Sequence, residues 1–103
     1  MGHKFSPTEI EIYRRVDEVL HYLWDPIGVS NSPEARDEYQ GYLPKIYGMI
    51  VEKKPHEEIL NYMKWAVGDH MGMPVNADKN LEIIKIMEKY RDIYLDRESR
   101  MKS

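Results

Sequence analysis

The amino-acid sequence predicts an all-α fold, a small bundle of four to five helices. Three observations carry that expectation. Apolar residues recur at three- and four-residue spacing in several stretches, which is the signature of one buried helix face. The stretches are bounded by helix punctuation: Ser6-Pro7-Thr8-Glu9, Ser32-Pro33, Pro55, and Gly72 followed by Pro74. No stretch shows sustained apolar/polar alternation, and no Asn-Gly or Asp-Gly pair offers a tight hairpin.

At 103 residues the chain suggests a single domain, with an ordered core over about 6–95 and a polar tail that frays from Asp96. Hydrophobic residues make up 42% and charged residues 32%, a globular balance rather than a disordered one. The absence of cysteine excludes disulfides and thiolate metal sites and allows a reducing compartment. A net charge of −3, with basic residues interspersed among acids, argues against a nucleic-acid partner. No uncharged run approaches the ~20 residues of a membrane span, so no membrane partner is expected. The N-terminus lacks a secretory apolar core. Met1-Gly2-His3-Lys4-Phe5-Ser6 fits the loose myristoylation pattern, against the plainer reading of an unmodified start.

In the first predicted helix Ser6 caps, Pro7 takes the first position and Glu9 completes a capping box. Its apolar face is Ile12, Tyr13, Val16, Val19, Leu20 and Leu23, and Glu11 can pair with Arg14 or Arg15. It stops near Trp24, because Pro26 disfavours helix at Asp25 and Gly28 follows. Ile27 and Val29 are expected to return to the core before Ser32 caps a second helix. Gly41 and Pro44 interrupt that helix, so a new one starts near Leu43, presents Ile46, Tyr47, Ile50 and Val51, and runs out at Lys53-Lys54. Pro55 opens the next, with Ile59, Leu60, Met63, Ala66, Val67 and His70 or Met71 inward; Gly72 and Pro74 close it. Asn76 or Asp78 caps the last helix, whose stripe is Leu81, Ile83, Ile84, Met87, Tyr90, Ile93 and Tyr94.

Three strings, Trp24-Asp25-Pro26-Ile27-Gly28-Val29, Pro33-Glu34-Ala35-Arg36-Asp37-Glu38-Tyr39 and Tyr42-Leu43-Pro44-Lys45-Ile46-Tyr47, carry a resemblance. Over roughly residues 16–73 the chain resembles the YugE-like family of small uncharacterised bacterial helical proteins. The resemblance implies a small all-α fold, bacterial origin and a cytoplasmic setting. It brings no activity and no catalytic residue.

The candidate site residues are Trp24, Asp25, Glu34, Asp37, Glu38 and Trp65. Trp24 and Asp25 read either as a helix terminator, with Trp24 anchored in the core and Asp25 accepting backbone hydrogen bonds, or as a loop that aims Asp25 at a ligand. Glu34, Asp37 and Glu38 read as a solvated first turn favoured by the helix dipole, or as an edge for a basic partner. Tyr39, Tyr42, Tyr47 and Tyr62 with Trp65 read as core packing or as a stacking platform. Trp65 lies at the edge of its helix's stripe, where an exposed aromatic marks a contact surface. His21 with Asp25, and Asp69 with His70, supply metal-ligand chemistry, but no His-x-x-x-His or Glu-x-x-His spacing is expected to fix a site, so neither metal nor cofactor is expected.

Three functions compete. The favoured one is a non-enzymatic interaction or regulatory protein with a protein partner, since no nucleophile motif or phosphate loop is present. The second is a small metal-dependent or acid/base hydrolase using Asp25, Asp37 and Glu38 with a histidine. The third is a structural homo-oligomer assembled through Ile83, Ile86 and Ile93 of the last helix.

Overall fold

A computed structural model describes residues 5–25 and 39–102, with Lys102 in its backbone only. Over these residues the chain is a small all-α bundle of four α-helices with no strand. They are α1 (Pro7–Glu18), α2 (Leu43–Val51), α3 (His56–Lys64) and α4 (Ala77–Lys102). Two single π-helical turns extend α1 and α3: a first over Val19–Trp24 and a second over Trp65–His70. The expected returns of Ile27 and Val29, the Ser32 cap, and Glu34, Asp37 and Glu38 lie outside the described residues, as does most of the myristoylation pattern.

Local chemistry sets the boundaries. Ser6 Oγ accepts from the Glu9 backbone N–H at 3.1 Å, and the Glu9 carboxylate accepts from the Ser6 N–H at 2.8 Å, closing the capping box. Glu11 lies 3.7 Å from both Arg14 and Arg15. Pro44 occupies the second position of α2, where a missing N–H costs nothing. The C-terminus of α2 is a Schellman motif: the Lys54 N–H donates to Met49 O at 3.0 Å and the Lys53 N–H to Ile50 O at 3.2 Å. Lys53 holds the left-handed position of that motif, at φ 58°. Gly72 takes the same region at φ 69°, just past the second π turn. Of the two cap candidates for α4, Asn76 is used, its Oδ1 accepting from the Lys79 N–H at 3.0 Å.

The core gathers one face from each element. Ile12, Val16, Val19, Leu20 and Trp24 meet Leu43, Ile46, Tyr47 and Ile50, then Ile59, Met63, Ala66 and Val67, and finally Ile83, Ile84 and Met87. Arg91 is buried on α4 and ties it to α2, its guanidinium donating to Ile50 O at 2.8 Å. That places a cation where the carbonyls of α2 run out. Phe5, Tyr13 and Tyr47 form a ring cluster with centroids 5.0–5.6 Å apart. The Tyr47 hydroxyl is buried there without a hydrogen-bond partner among the described residues.

Three details differ from the sequence expectation. Leu23 does not finish the apolar face of the first helix; it is 48% exposed, while Trp24 is 1% exposed. A π turn inserts one residue, so the inward position moves from Leu23 to Trp24. Helical backbone continues past Asp96 to Lys102, because the C-terminal half of α4 lies beside the start of α1, where Tyr94 and Arg97 face Pro7, Thr8 and Glu11. Ile83 is buried in the core of this same bundle, so of the three isoleucines expected to form an assembly face only Ile93 is exposed.

Candidate functional site

The two π turns end close together, and each brings a tryptophan and a histidine. In the first, the Asp25 N–H reaches back five residues to Leu20 O at 3.1 Å, and Asp25 itself turns left-handed at φ 31°, ψ 57°. Aspartate tolerates that conformation better than most residues. The wide turn swings the Trp24 ring inward. Its indole N–H donates to Asn80 Oδ1 at 3.0 Å in a buried bond that links α1 to the start of α4. Tyr39 and Tyr42 pack on the ring with centroids 5.7 and 6.0 Å away. The Tyr39 hydroxyl donates to the Asp25 carboxylate at 2.7 Å, so the carboxylate braces the entry to α2.

In the second turn the Met71 N–H reaches Ala66 O at 2.9 Å, again five residues back. His70 is thereby placed over Trp65, with ring centroids 5.2 Å apart and planes 13° from parallel. Tyr62 flanks Trp65 on α3 at 5.6 Å. Nδ1 of His70 is hydrogen-bonded to the hydroxyl of Tyr42, whose ring also packs on Trp24. A continuous file of rings thus runs from the buried Trp24 through Tyr42 and His70 to Trp65, which is 44% exposed. Burial, and then the neighbouring Tyr42, raise the Tyr62 phenol above its ordinary pKa, so it stays neutral through the physiological range.

The candidate residues therefore part company. Trp24 is a buried anchor, and Asp25 is a turn residue whose carboxylate serves Tyr39. Trp65 stands at the surface, as its place on the stripe's edge predicts. Glu34, Asp37 and Glu38 lie outside the described residues. His21 is buried, makes no hydrogen bond to Asp25, and leaves Nδ1 without a partner among the described residues. Contrary to the expectation that no Glu-x-x-His spacing is available, Glu18 and His21 do stand at i and i+3. Glu18 is spent on an ion pair with Arg15. Among the described residues no group of three or more His, Asp or Glu is placed to hold a metal ion. No helix among them is long and apolar enough to cross a membrane.

Sequence reasoning missed Asn80 and the joining role of Tyr42. Asn80 lies on the inward side of α4, where a polar residue among Ile83, Ile84 and Met87 requires a partner. That requirement was a usable signal. The identity of the partner was not, since Trp24 is 56 residues away. Beside this pair a surface depression of about 260 Å³ is lined by Trp24, Val67, Pro74, Asn76, Lys79 and Asn80. No family model matches the chain, and no curated protein or solved structure matches it.

Proposed function

We propose that this chain is a non-enzymatic interaction module that engages another protein through the face carrying Trp65. The observation that carries the reading is a large aromatic ring, 44% exposed, whose orientation is already set by His70 on one face and Tyr62 on its flank. Tryptophan is enriched among residues that dominate interface energies. A ring held in place before binding loses little rotational freedom on contact, so more of its burial appears as affinity. Exposed Lys64, Asp69 and His70 surround it with the polar rim such contacts have. The kinship with the YugE-like family, a bacterial origin and a cytoplasmic setting belong to the same proposal and rest on the sequence strings quoted above.

A specific observation favours a second reading, self-association through α4. Tyr90 and Ile93 are 37% and 39% exposed and three residues apart on one helix face. The hydrolase reading has less behind it, because Asp25 is engaged by Tyr39.

The test places a benzophenone photocrosslinker at Asp69, leaving Trp65 intact, in cells that make the protein. The expected result is a discrete adduct with one other protein that disappears in Trp65→Ala while the far-UV circular dichroism is unchanged. An adduct pattern indifferent to Trp65→Ala overturns the proposal. An adduct of twice the chain mass replaces it with self-association.

A further inference from the structure

We propose that the depression between the first π turn and the start of α4 is a binding site for a small carboxylic acid with a compact apolar body. Asn80 is the first reason. It is 3% exposed, and the Trp24 indole N–H fixes its amide orientation, because an N–H donor requires Oδ1 and not Nδ2. Among the described residues that bond is the side chain's only hydrogen bond, so Nδ2 keeps two N–H donors without an acceptor. Asn80 lines the depression.

The second reason is the company it keeps. Lys79 lines the same depression and makes no ion pair among the described residues. Pro74 supplies exposed apolar surface at the depression, with Trp24 and Val67 buried behind it. A carboxylate has two oxygens to satisfy, and the amide N–H and the ammonium offer one donor group each. A phosphate would leave oxygens unmatched by this donor set. The positive end of α4 adds to the attraction, with Asn76 already capping it. A volume of about 260 Å³ falls below the ~300–1,000 Å³ of sites for drug-sized ligands, so the apolar body is a single ring or a short branched chain. This site is separate from the Trp65 face and does not depend on it.

The experiment is a heteronuclear NMR titration of the full chain with benzoate, using benzamide and inorganic phosphate as comparison probes. Benzoate is expected to give saturable shifts at the Trp24 indole N–H and the Asn80 side-chain amide, with Trp65 unmoved. Lys79→Gln, a surface change that leaves the fold intact, is expected to weaken benzoate about tenfold, the scale of one charge-assisted hydrogen bond. Asn80→Asp keeps an acceptor for the indole and is expected to abolish binding. Three results overturn the proposal: no saturable shift at millimolar benzoate, benzamide or phosphate binding as tightly as benzoate, or shifts centred on Leu60 and Val75. Those two residues line the neighbouring groove that Asn80 also borders.

Discussion

The two π turns make the same backbone departure and put it to opposite uses. The first turns a tryptophan inward: Trp24 is 1% exposed, its indole N–H is satisfied by Asn80, and two tyrosines pack on it. The second leaves its tryptophan outside: Trp65 is 44% exposed and is steadied by His70 and Tyr62 rather than covered. Position within the turn explains the difference. Trp24 is the last residue of its turn, where the inserted residue rotates the chain onto the core. Trp65 is the first of its turn and keeps the register of α3, in which Ile59 and Met63 face inward. A π turn is thus neutral as to function. What it does depends on which residue it shifts and whether an element stands opposite to receive it.

Mutations can break this contrast, beginning with the largest expected effect. Trp24→Ala empties a site filled by the largest fully buried side chain and is expected to destabilise by about 3–5 kcal/mol in urea unfolding. Asn80→Leu keeps the bulk and removes the acceptor. It leaves the indole N–H buried and unsatisfied, for a loss of about 1–3 kcal/mol by the same assay.

Tyr47→Phe, a control remote from both turns, deletes a hydroxyl that has no partner among the described residues. It is expected to be neutral or stabilising by up to about 1 kcal/mol. Burial, then Glu9 and Tyr13, raise the Tyr47 phenol above its ordinary 10.0. A raised folded-state value means that stability is intact below the unfolded value and lost as pH climbs through the folded one. The urea midpoint is therefore expected to fall above about pH 10, and less steeply in Tyr47→Phe. Trp65→Ala comes last, with a stability change near ±0.5 kcal/mol, since a surface ring leaves little cavity behind. If Trp65→Ala costs as much as Trp24→Ala, the contrast between the turns fails.

Much of this architecture was legible in the sequence because its rules are local. The Ser6–Glu9 capping box, the restart at Leu43 with Pro44 behind it, the opening at Pro55, the left-handed Gly72 and the Asn76 cap depend on residues three or four apart. The π turns were not legible. Apolar periodicity assumes ~3.6 residues per turn, and a one-residue insertion breaks the pattern only where it occurs, which is why Leu23 was expected inside. The site was half legible. Trp65 could be placed at the stripe's edge from its own helix, whereas the Trp24–Asn80 bond and the Tyr42–His70 link join residues 56 and 28 apart, which no local rule connects.

The division of labour between the two tryptophans can be tested in one variant, Trp65→Phe, which leaves Trp24 as the sole indole fluorophore. Its emission is expected to be blue-shifted and nearly indifferent to acrylamide, and both are lost together on unfolding in urea. A red-shifted emission, freely quenched under native conditions, would place Trp24 at the surface and contradict the assignment of the first turn to structure and the second to recognition.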